Sequence, residues 1–141
     1  MLLFVHPLVQ MIAIVLVGYT FVLGLQRFRS KHLRQPVSFA WQRHVWLGST
    51  ALLTLTGGVA AGLLIVFLFW HRLLLTGLHG RSAIVLLPFL LFGLISGWRL
   101  HTVKRKRTVL PIIHGINNTV VLGLCLLQIA SGIAVLRKFV L

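Results

Sequence analysis

The chain has 141 residues, 58% of them hydrophobic, with 14 Lys and Arg and neither Asp nor Glu. That length suits one domain, and long charge-free apolar runs place it among membrane proteins. With no side-chain carboxylate there is no carboxylate proton relay and no acidic cation site. The cations lie between the apolar runs, which points to anionic lipid headgroups and away from nucleic acid.

In chain order, "MLLFVHP" lacks the basic start of a cleaved signal and reads as part of a first helix, about 6–26. The connection 26–43 carries Arg27, Arg29, Lys31, Arg34 and Arg43, with His32 solvated among them. A second helix is predicted over about 44–70. The next connection, 71–81, holds only Arg72 and Arg81, and His71 faces away from the His44 side of its helix. A third helix covers about 80–103, and the connection 99–107 holds Arg99, Lys104, Arg105, Lys106 and Arg107. A fourth covers about 109–136, followed by Arg137 and Lys138. Trp41, Trp46, Trp70 and Trp98 lie near span ends, where indole anchors at the interface.

Each run can cross a hydrocarbon core of ~30 Å. The expected architecture is therefore all-α: a single transmembrane domain over 1–141, an up-and-down four-helix bundle. Five cations in each of the first and third connections, against four elsewhere, put those two loops on the cytoplasmic or stromal side. Both termini then lie outside, in a bacterial inner membrane or a thylakoid. The lone Cys125 lies mid-span and can form no internal disulfide.

Four of the 7 histidines, His6, His44, His79 and His114, open the four spans at separations of 38, 35 and 35 residues. Such a period marks one unit repeated, a helix plus its turn. Antiparallel neighbours alternate, so His6 and His79 belong at the outer surface and His44 and His114 at the inner. In an up-and-down bundle each pair lies on a diagonal. Five whole turns on, a step of about 18 residues and ~27 Å, each histidine meets a glycine on its own face: Gly24, Gly62, Gly97 and Gly132.

Singly, an interfacial histidine or a small-xxx-small pair such as Gly58/Gly62 or Gly93/Gly97 packs helices and nothing more. Jointly they describe a core with an imidazole at one end of every helix and bare backbone at the other. That suits a large flat ligand at each level, held at its centre by two trans imidazoles and cleared by glycine. Haem b meets the description, His6/His79 and His44/His114 being the iron ligands. No CxxCH occurs, so c-type attachment is excluded. Arg43, Arg72, Arg81 and the cluster Lys104–Arg107 lie near enough in sequence to pair with propionates. His101, 22 residues past His79 on nearly the same face, is a rival inner ligand. Asn117, Asn118 and Gln128 either bond a ligand's free N–H or one another.

The motifs "HP" at 6–7, "HxxxG" at 44–48, "HG" at 79–80 and "HG" with Asn at 114–118 resemble the four-helix membrane proteins related to cytochrome b561 and to ferric-reductase-like transmembrane domains. The resemblance covers most of the chain. It implies two haems b, one per leaflet, and electrons passed across the membrane. Wider eukaryotic relatives have six helices, take electrons from cytosolic ascorbate and reduce monodehydroascorbate or ferric iron outside. This chain has only the four core helices, and the histidine frame carries over to His6, His44, His79 and His114. The expected function is transmembrane electron transfer by a dihaem cytochrome b. Its donor and acceptor are ascorbate, quinol or a partner redox protein. The alternative is a haem- or quinone-associated subunit of a larger respiratory or photosynthetic complex.

Overall fold

The computed structural model describes residues 2–103, 105, 107–139 and 141. Among these the chain forms four α-helices, α1 Leu2–His32, α2 Trp41–Trp70, α3 Leu78–Thr102 and α4 Val109–Phe139. All four are long and apolar enough to cross a membrane. Where no water reaches the backbone, only the helix satisfies every N–H and C=O within its own segment.

The helices outrun the apolar segments that predict them. α1 continues to His32 through the basic stretch that the sequence assigns to a connection, since Gln, Arg and Lys are good helix formers. Its last turn carries Arg29, Lys31 and His32, cations that suit the carbonyl end of the helix dipole. The helix stops where Arg34 turns left-handed at φ 51°, two residues before Pro36. Only residues 33–40 separate α1 from α2. α2 ends at a left-handed His71, whose N–H bonds the Phe67 carbonyl at 2.9 Å. The short link ends on Gly77, at φ 60° and ψ −120°, a conformation that a Cβ would strain. Pro111 falls in the first turn of α4, where its missing N–H breaks no helix bond.

α1 packs on α2 and α4, and α3 packs on the same two, so α1/α3 and α2/α4 are the diagonals. Contacts between opposite ends give the direction. His6 meets Gly62 and His44 meets Gly24, so α1 and α2 are antiparallel; His79 meets Gly132 and His114 meets Gly97, so α3 and α4 are too. Trp41, at the start of α2, meets His101 near the end of α3.

The middle of the bundle is a dry layer of Ala13, Ile14, Val17, Ala51, Leu52, Leu55, Val59, Leu86, Leu90, Val121 and Cys125. The outside is equally apolar: Leu8, Val15, Leu53, Leu64, Ile95, Ile116 and Leu126 are all exposed. In lipid the hydrophobic effect does not hold such helices together; close approach and interhelical hydrogen bonds do. Gly58 lies under the Gln10 side chain, which bonds the Thr54 carbonyl at 3.3 Å. Gly93 admits Leu52, Asn117 and Asn118 to one point, and Asn117 bonds the Phe89 carbonyl at 3.0 Å. Gln128 bonds Ser82 at 2.8 Å.

Candidate functional site

Each histidine that opens a span lies against a glycine of its hairpin partner. A Cβ added at Gly62 would stand 3.0 Å from His6 Cε1, and one at Gly132 would stand 3.2 Å from His79 Cε1. At the other end, Gly24 and Gly97 would bring a Cβ to 3.4 and 3.3 Å from Cε1 of His44 and His114. The glycine level matches the sequence expectation. The glycine's immediate neighbour is the imidazole itself, so the missing side chain makes room for the ring and fixes how deeply it sits.

One pair forms across a diagonal. The rings of His44 and His114 stand 6.4 Å apart, centroid to centroid, at 74° to each other. His6 and His79 lie at the opposite end, against Gly62 and Gly132. Two imidazoles on opposite sides of one metal ion, with metal–nitrogen bonds of ~2.0–2.1 Å, need centroids ~6.3 Å apart. The His44/His114 pair has that separation.

Hydrogen bonds settle which ring nitrogen is free. His44 Nδ1 lies 3.0 Å from the backbone carbonyl of Thr20. A carbonyl only accepts, so Nδ1 carries the proton and Nε2 keeps its lone pair. His114 Nδ1 lies 2.8 Å from Ser96 Oγ, whose own proton goes to the Phe92 carbonyl at 2.6 Å. His79 Nδ1 lies 3.2 Å from Ser131 Oγ, whose proton goes to the Leu127 carbonyl at 2.8 Å. Both hydroxyls must therefore accept from Nδ1–H. Three of the four imidazoles are held by a neighbouring helix in the tautomer that presents Nε2 as a donor, the arrangement that orients metal-bound histidines.

Asn118 bonds the His114 carbonyl at 2.7 Å and reaches His114 Nε2 at 3.3 Å. It touches the ligand candidate directly, on the nitrogen that would bind. Gln128 bonds the His79 carbonyl as well as Ser82. Arg43 is exposed and lines a shallow groove with Tyr19, Gln42, Trp46 and Leu47. Arg72 and Arg81 are exposed. Arg107 donates to the Arg99 carbonyl at 3.3 Å and so caps α3. Lys104 and Lys106 lie outside the described residues. His101 packs edge-on against Trp41, 5.0 Å between centroids. His32 stacks on Phe28 at 4.9 Å, and His71 serves as the α2 cap.

Ser96, Ser131 and the Thr20 carbonyl have no counterpart in the sequence expectations. A signal existed: "SG" recurs at 96–97 and 131–132, so the anchoring hydroxyl directly precedes the glycine that receives the ring. No family model, curated protein or solved structure matches the chain.

The donor set fits haem better than a bare ion. Among the described residues no group of three or more His, Cys, Asp or Glu comes together. Two imidazoles are too few for a naked metal centre but sufficient for iron whose macrocycle supplies the other nitrogens.

Proposed function

We propose that this protein carries electrons across a membrane through two haems b. His6 and His79 ligate one and His44 and His114 the other. The observation that carries this is the arrangement of the imidazoles: histidines at both ends of an apolar bundle, His44 and His114 paired across a diagonal, and His44, His79 and His114 each anchored through Nδ1–H so that Nε2 keeps its lone pair. Each haem supplies a one-electron couple. The chain orients the ligands, keeps water out with the Leu52–Leu90–Val121 layer, and leaves no open iron position for oxygen. Anionic lipid surrounds the basic end. An anionic donor, a quinol or a partner redox protein delivers electrons, whether the chain acts alone or as a subunit of a larger complex. Dithionite-minus-ferricyanide spectra and haem stoichiometry of the purified chain test this. Two haems per chain with sharp reduced α-bands are expected, and a colourless chain would rule it out.

Ser96→Ala is expected to weaken haem binding at the His44/His114 level by about 10- to 100-fold, the usual effect of losing a partner that orients a metal-binding imidazole. Titration of haem into the apoprotein in detergent measures it. An unchanged affinity would show that the Ser96 contact does not orient the ligand.

The basic end, with Arg27, Arg29, Lys31, Arg34, Arg43, Arg99 and Arg105, faces the cytoplasm or stroma by the positive-inside rule. In a Cys125→Ser background, a cysteine at Val37 should react with impermeant thiol reagents only from inside. One at Leu73 should react only from outside. The reverse pattern would invert the assignment and place His44/His114 at the outer surface.

A further inference from the structure

The two ends of the bundle carry chemically different surroundings. Arg27 lies on α1 one turn beyond Gly24, the residue that receives the His44 ring. Its guanidinium stands over the Phe39 ring, 5.4 Å from the centroid. Phe39 is in turn 5.5 Å from the His44 ring, and His44 is 6.4 Å from His114. Phe39 belongs to the segment 33–40, which folds back beside the His44/His114 level; Gln35 N–H bonds the Arg29 carbonyl at 3.2 Å, and Arg29 bonds the Gln35 side chain at 2.7 Å. Through Phe39, a fixed positive charge thus stands beside the His44/His114 level. With no Asp or Glu in the sequence, no side-chain carboxylate cancels this charge.

We infer that Arg27, held in place by Phe39, is a positioning residue that raises the reduction potential of the centre between His44 and His114. The inference rests on the haem assignment above. Reduction adds an electron to the centre, and a fixed neighbouring cation stabilises the added charge. Arg27 is exposed, so water and salt screen part of its field. At an effective dielectric constant of roughly 25 to 40 and a separation of about 10 Å, the effect is about four- to tenfold in the reduction equilibrium. That corresponds to ~35–59 mV for a one-electron couple.

Spectroelectrochemical titration of the haem-loaded protein tests the assignment, with the His44/His114 component identified as the one lost in His114→Ala. Arg27→Gln should lower the potential of that component by the stated amount and leave the other in place. Arg27→Lys should keep it near the parent value. Phe39→Ala should produce a smaller fall, because the guanidinium loses its platform. Arg29→Gln removes the same formal charge two residues away and should shift neither component. A normal potential in Arg27→Gln, or an equal fall in Arg29→Gln, overturns the role of Arg27 while leaving two haems standing. A chain that binds no haem overturns the functional proposal itself.

Discussion

His114→Ala is expected to abolish one haem signal completely and spare the other, and His44→Ala to abolish the same one. His6→Ala and His79→Ala should remove the second signal and spare the first. The expectation follows from the packing: α1/α3 and α2/α4 are the diagonals, and the His44 and His114 rings stand 6.4 Å apart. On the haem assignment proposed above, each variant would leave a single histidine to hold the group at that level. His101, the candidate replacement at that level, packs against Trp41. Reduced-minus-oxidised spectra of the four variants, with haem counted per chain, measure the result. Loss of the same component in His79→Ala and His114→Ala would break the pairing. Retention of full haem content in all four would remove histidine ligation altogether.

The second large effect belongs to the glycines. Gly97→Leu is expected to empty the His44/His114 site, and Gly62→Leu the His6/His79 site. A Cβ at position 97 would already stand 3.3 Å from His114 Cε1, and at position 62 it would stand 3.0 Å from His6 Cε1. The rest of a leucine side chain must then occupy the space of the ring. Either the imidazole swings out of line or the helices part, and core overpacking of this kind costs about 1–3 kcal/mol. Gly123→Leu is the control. Its Cβ would meet nothing within 4 Å, and the position is exposed on the outer face of α4. Normal haem content in Gly97→Leu and Gly62→Leu would mean that the step from each histidine to its glycine has no bearing on the site. Loss of haem in Gly123→Leu as well would point to a general defect of α4.

Where the helices lie was legible because each span is long, apolar and nearly uncharged. The ends were less so. α1 runs on to His32 because basic residues with straight side chains extend a helix into the headgroup layer as readily as they form a loop. The charge run marks a boundary of hydrocarbon, which is a different boundary from that of the helix.

The recurrence of histidine and glycine could be read from the chain alone, because both are set by helix geometry. A fixed rotation and rise per residue turn a count along the chain into a face and a height. An apolar run in lipid can satisfy its backbone only as one such helix. Short connections make neighbours antiparallel, so histidines at successive helix starts alternate ends. Height was therefore correct for all four glycines: Gly62 meets His6, Gly24 meets His44, Gly132 meets His79 and Gly97 meets His114.

Which atoms meet at that height depends on how the helices are rotated against one another, and no count along a single helix contains that angle. Close packing within each hairpin slides the glycine beneath its partner's imidazole and brings Thr20, Ser96 and Ser131 to the Nδ1 atoms. The same holds for Arg27 and Phe39, which the fold of residues 33–40 brings together beside His44. Arg43, next to His44 in sequence, lines a groove with Tyr19 and Trp46, because adjacent residues on a helix point about 100° apart. Nearness along the chain points to Arg43, and the fold brings Arg27 as well, one turn past the glycine on the neighbouring helix, over Phe39 beside the His44 ring.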